Sequence, residues 1–163
     1  VVKRAYRSQV IHVVNRTPAS VIGDGIRTLN ELVDDANKQR FENDYLWDKL
    51  IPPVTIGGEN IPYPLEFVKV NNMANISQGV ENNALALSEV DEEIKNAACM
   101  AHSLSGLLYS AVDIMKGTDG KVYVGEVNAL PGFAIHHFPV SGEPCNVAKH
   151  IIETCLHYKY GLR

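Results

Sequence analysis

The chain has 163 residues, 45% of them hydrophobic and 21% charged, with a formal net charge of -4. These proportions belong to an ordinary globular protein, exclude collagen-like and disordered chains, and leave no apolar run long enough for a transmembrane helix. A chain of this length buries roughly 70% of its unfolded surface, so a single domain spanning 1–163 is expected. The acidic balance and scattered basic residues give no general attraction to nucleic acid or to an anionic membrane.

The opening VVKRAYRSQV has no initiator methionine and lacks the apolar stretch and cleavage site of a signal peptide, which is compatible with a chain cut from something longer. Cys99, Cys145 and Cys155 are odd in number and widely spaced. They read as free thiols in a reducing cytoplasm rather than as a zinc or disulfide framework.

In chain order, residues 9–14 (QVIHVV) read as a strand, and Ser20 to Ile22 as a second short one. Gly23-Asp24-Gly25 marks a tight turn. Thr28 and Glu31 form a capping box for a helix that buries Leu29, Leu32, Val33 and Ala36 and ends near Gln39. Four prolines and two glycines between Ile51 and Pro64 predict a loop, and 65–70 (LEFVKV) a strand. Ser88 is the expected cap of the next helix, with Val90, Ile94, Ala97, Ala98, Ala101 and Leu104 inward and Gly106 as its stop. Strands Tyr109 to Met115 and Lys121 to Ala129 follow, and a last helix opens near Asn146 and closes at Gly161. The order β-β-α-β-α-β-β-α favours an α+β domain with helices packed on a mainly antiparallel sheet.

The segment SAVDIMKGTDGKVYVGEVNA carries the chemistry. Asp119-Gly120 suits a two-residue turn, which pairs Thr118 with Lys121 and sets Asp113 opposite Glu126. A four-residue loop makes the two acids diagonal neighbours on one face, and an odd-length loop separates them. Asn128 shares the face of Glu126 because strand side chains alternate. Carboxylates facing each other at about 5 Å repel by roughly 3 kcal/mol at an effective dielectric near 20. Two carboxylates and an amide suit a hard cation such as Mg²⁺; the competing reading is a hydrated acidic face screened by Lys116 or Lys121.

The sequence AVDIM, with thirteen residues from Asp113 to Glu126, and then G-E-V-N-A-L-P-G-F, resembles the end of the ATP-grasp fold in carboxylate-amine ligases. Arg16-Thr-Pro-Ala-Ser-Val-Ile-Gly-Asp24-Gly25, Asn75-Ile-Ser77-Gln-Gly79 and His137-Phe-Pro139 are most similar to the cyanophycin synthetase and bifunctional glutathione synthetase branches, with ribosomal-protein glutamate ligases also sharing the pattern. The resemblance runs from about Val13 to Leu156. It implies a C-terminal ATP-grasp lobe, with Asp113, Glu126 and Asn128 on Mg²⁺ or Mn²⁺, and Arg16 near the transferred phosphate of ATP as a catalytic group. Asn75 and Ser77 would orient phosphate or substrate, and Asn128 and Gly132 would meet the substrate.

The implied activity is ATP-dependent amide formation through an acyl phosphate. An amino acid or peptide is the implied substrate, and an upstream lobe of the same parent chain the implied partner. Gly125 departs from the larger apolar residue usual in relatives, Gln78-Gly79-Val80 replaces Thr-Gly-Gly, and Cys145 replaces arginine. The first nucleotide-binding lobe is absent, so the isolated chain is expected to be inactive. The rival expectation is a non-catalytic remnant that binds nucleotide or packs against a protein partner.

Overall fold

In the computed structural model, residues 1–4, 7–70 and 79–161 are described. The elements in order are β1 Val2–Arg4, β2 Arg7–Gln9, β3 Val13–Thr17, β4 Ser20–Ile22, α1 Leu29–Phe41, β5 Phe67–Lys69, β6 Glu81–Leu85, α2 Glu92–Ser105, β7 Ala111–Lys116, β8 Val122–Asn128, α3 Ala134–His137 and α4 Val147–Tyr160. The class is α+β, as expected, and the register pairs of β1–β2, β4–β5 and β7–β8 are all antiparallel. The chain divides into two compact units, Asn15–Asn83 and Val1–Val14 with the chain from Ala84 onward.

The 15–83 unit is built on α1 and the β4–β5 pair, in register Ser20↔Lys69, Val21↔Val68 and Ile22↔Phe67. The capping box forms as read. Glu31 N–H donates to Thr28 Oγ1 at 3.2 Å, and Thr28 N–H donates to Glu31 Oε2 at 2.7 Å. Leu29, Leu32 and Val33 then bury with Ala19, Val21 and Ile51 into one cluster, flanked by half-buried Ala36, Val54, Val68 and Val70.

The proline-rich stretch is irregular but held. Asn37 Oδ1 accepts from Ile51 N–H at 2.8 Å while its Nδ2 donates to Ile51 O at 2.9 Å, and Asn30 Oδ1 accepts from Val54 N–H at 2.9 Å. Two side-chain amides, seven residues apart on α1, thus satisfy backbone that a ladder would otherwise satisfy. Arg40 is buried and donates to Lys49 O at 3.0 Å and Val80 O at 3.2 Å, a role its sequence context did not signal.

In the other unit β1 and β2 form a hairpin, Val2↔Gln9 to Arg4↔Arg7. Helix α2 packs on β2, β7 and β8, and α4 packs on β1. Helix α4 opens at Asn146, whose Oδ1 accepts from Lys149 N–H at 2.9 Å, and closes at Gly161 with φ +62°, both as read.

Several local expectations fail. The 9–14 strand is split, since residues 10–12 belong to neither β2 nor β3. Ser88 lies in a turn and Asp91 is the N-cap of α2, making no side-chain cap because its Oδ2 takes Lys116 Nζ at 2.7 Å. Leu104 is 83% exposed, and His102 is buried on α2, with Nδ1 2.8 Å from Ser110 Oγ. Strands β1 and β6 and the short α3 had no periodic signal.

The capping box gives a direct check. Thr28→Ala removes the side-chain acceptor of Glu31 N–H while the Thr28 N–H still donates to the Glu31 carboxylate, so urea unfolding should show a loss of about 1 kcal/mol, with Thr28→Ser close to wild type.

Candidate functional site

Strands β7 and β8 position the candidate residues, and the turn between them sets the phase. Gly117 N–H donates to Lys121 O at 2.8 Å and Gly120 N–H to Gly117 O at 2.9 Å, with Gly120 at φ +80°. This is a three-residue loop, 118–120, with its last residue left-handed, and not the expected two-residue turn. Asp119 holds it, accepting from Lys121 N–H at 3.1 Å and from Tyr123 O–H at 2.8 Å.

An odd loop continued without interruption would bring Gly125 opposite Asp113 and send Glu126 to the other face. The register instead runs Lys116↔Val122, Met115↔Tyr123, Ile114↔Val124, then Asp113↔Glu126, Val112↔Val127 and Ala111↔Asn128. One residue, Gly125, has none opposite it; it is a bulge that shifts the phase by one. The two departures from regularity cancel, and Asp113 faces Glu126 as the sequence suggested for a different reason.

Asp113, Glu126 and Asn128 are all exposed, whereas Val112, Ile114 and Val127 on the alternate positions are half-buried. Asn128 Oδ1 accepts from Leu130 N–H at 2.9 Å, which fixes the side chain and leaves the oxygen one further lone pair. The lysines proposed as screening groups are engaged elsewhere: Lys116 Nζ is 2.7 Å from Asp91 Oδ2 and Lys121 Nζ 3.6 Å from Asp119 Oδ2. Among the described residues no group of three or more His, Cys, Asp or Glu side chains is gathered to hold a metal. The expected set contains only two such groups, its third donor being an amide. Two carboxylates and a carbonyl oxygen on one open face match the oxygen-only donor set of a hard cation.

Arg16 is exposed on β3, in the other unit. Asn75 and Ser77 lie outside the described residues. Gly132 is exposed, has no left-handed φ, and a Cβ built there meets nothing within 4 Å, so neither conformation nor space requires a glycine. Gly125 is similar: a Cβ would meet Met115 Cε at 3.5 Å and Asp113 O at 3.7 Å, which are ordinary contacts.

A histidine pair carries no signal in the sequence. His12 Nδ1 and His136 Nδ1 are 2.9 Å apart, and His12 Nε2 lies 3.1 Å from Glu143 O. Burial, then the neighbouring His12, the Val1 ammonium and His137, hold His136 down to about 4, and burial also lowers His12. The two residues are 124 apart in sequence, so no local motif joins them.

No family model matches the chain. It is 29% identical to cyanophycin synthetase from Synechocystis sp. over 168 aligned residues, covering 89% of this chain and 19% of that protein. It is 27% identical over 159 residues to a glutathione biosynthesis bifunctional protein from Listeria monocytogenes, covering 86% and 20%. The crystal structure of a bifunctional glutathione synthetase from Pasteurella multocida superposes with a TM-score of 0.70 at 20% identity, over 92% of this chain and 23% of that one. The chain is related to the C-terminal portion of ATP-grasp ligases. It has their α+β fold and spans about a fifth of the length of the curated relatives it matches.

The glycine geometry separates two positions of the chain. Gly125→Ala should unfold within about 0.5 kcal/mol of wild type, since its Cβ has room. Gly79→Ala, at φ +83° with a Cβ 2.7 Å from Ile51 Cα, should lose about 1–3 kcal/mol or more in the same urea titration.

Proposed function

We propose that the chain is the magnesium-holding part of an ATP-dependent carboxylate-amine ligase, a partial ATP-grasp domain completed by an upstream lobe of the same parent chain. The observation that carries the reading is the facing of Asp113 and Glu126 across the hairpin, with Asn128 on the same exposed side. The similarity to cyanophycin synthetase and to glutathione-forming proteins supports it.

In this reading the two carboxylates would hold Mg²⁺, or Mn²⁺ in its place, with the Asn128 side-chain oxygen as the third protein donor. The bound metal would neutralise phosphate charge of ATP as the carboxylate substrate becomes an acyl phosphate and an amine displaces the phosphate to form the amide. The chain's own residues supply position and charge. Arg16 offers a guanidinium fork to the transferred phosphate, matched in geometry to its oxygens and permanently charged. Asn75 and Ser77 provide polar groups for phosphate or substrate. Asn128 and the backbone around Gly132 receive the substrate, an amino acid or a peptide.

In the intact parent protein, Asp113→Asn and Glu126→Gln should each lower ADP formation by about 100-fold or more, since each removes a charged metal ligand whose stabilisation is worth several kcal/mol. Arg16→Ala should cost roughly 10²–10³ in kcat, with Arg16→Lys partly restoring it. Turnover near wild type in both acid variants sinks the metal assignment.

A further inference from the structure

The His12–His136 pair is used by none of the chemistry above, and its geometry constrains its protons. Glu143 O is a carbonyl and only accepts, so the His12 Nε2 at 3.1 Å from it carries a hydrogen. In a neutral His12 that leaves Nδ1 as an acceptor, and the His136 Nδ1 at 2.9 Å must then donate. His136 is thereby fixed as its Nδ1–H tautomer. The rings meet edge to face, with centroids 5.1 Å apart at 71°.

One ring thus bridges two points of the segment that follows Asn128: α3 through His136, and the chain seven residues later through Glu143. That segment has further ties, Cys145 N–H to His136 O at 2.8 Å and Ala84 N–H to Ser141 O at 2.8 Å. We propose that His12 and His136 form a tautomer-fixed clasp that holds the segment between β8 and α4, and that the clasp opens when both rings are charged. The proposal does not rest on the ligase reading.

The charge states decide the behaviour. A single added proton is tolerated, because a charged His12 donates through Nδ1 to a His136 carrying its hydrogen on Nε2. A second proton places two N–H groups head to head across the same gap. The groups that act on the pair are the Val1 ammonium ahead of β1, His137 on α3, and the Glu143 carbonyl from the following segment. The Val1 ammonium and His137 both act against a proton on His136, and the carbonyl favours a proton on His12.

The sign follows from linkage. A histidine held at about 4 when clasped and near its ordinary 6.5 when released binds fewer protons in the clasped form. The clasp is therefore fully stable above pH 6.5 and weakens as pH falls toward 4.

Imidazole nitrogen–proton correlation NMR on the full chain tests this. At pH 7.5 His136 should be the Nδ1–H tautomer and His12 the Nε2–H tautomer, and His136 should titrate well below 6.5. Hydrogen-exchange protection of the Cys145 amide should fall on the order of 50-fold between pH 7.5 and 4.5, beyond any change at the hairpin amides of Val112 and Val127. His136→Phe should cut that extra dependence to less than about 5-fold. His12→Gln, whose amide can donate to Glu143 O and accept from His136, should keep the His136 tautomer. An Nε2–H tautomer for His136 at pH 7.5, a midpoint near 6.5, or equal protection of Cys145 at both pH values overturns the proposal.

Discussion

The register of one hairpin is the constraint on which the candidate site depends. Side chains on a strand alternate with a period of two, so a slip of one residue moves every side chain of β8 to the opposite face. Two demands act on that phase at once. Helix α2 packs on β7 and β8, where Val112, Ile114 and Val127 are half-buried, while the acids must stay on the open side. A regular hairpin closed at Asp119-Gly120 would meet both demands but would place Gly125 opposite Ile114. The three-residue loop places Val124 there instead, a β-branched partner for a β-branched residue. The bulge at Gly125 then restores the acid pair.

This explains why the site was legible while the route to it was not. Counting back from an assumed two-residue turn gave Asp113 opposite Glu126, and the observed loop and bulge each add one residue whose effects cancel. The Asp119 side chain takes a backbone and a phenolic hydrogen bond from residues two and four further on, local bonds that the Asp-Gly signal alone does not contain. Where local chemistry decides the outcome, the sequence was sufficient: Thr28 with Glu31, Asn146, Gly106 and Gly161 all end their helices as read.

Where a distant partner decides it, periodicity misled. Asp91 rather than Ser88 begins α2, its carboxylate engaged with Lys116 twenty-five residues away. His102 takes the buried place assigned to Leu104, where Ser110 gives its ring a partner. Strand β6, Glu-Asn-Asn-Ala-Leu, has no apolar alternation to betray it, yet Asn82 is fully buried. His12 and His136 belong to the same class, as their contact exists only once α3 and the chain ahead of β3 have met.

The exposure of the acid pair bears on what a cation would do there. Were the two carboxylates buried, their repulsion would threaten the fold, and a metal would be needed to form the hairpin at all. They are open to water, where the same pair at about 5 Å repels by only about 1 kcal/mol. The ladder, the Asp119-braced loop and the packing on α2 can carry that cost. A cation on this face would therefore add to the hairpin without being needed to form it, and the Leu130 N–H orients the Asn128 side chain through the chain's own backbone. Such a site suits an ion that arrives with its phosphate ligands and leaves with them, rather than one that holds a fold together.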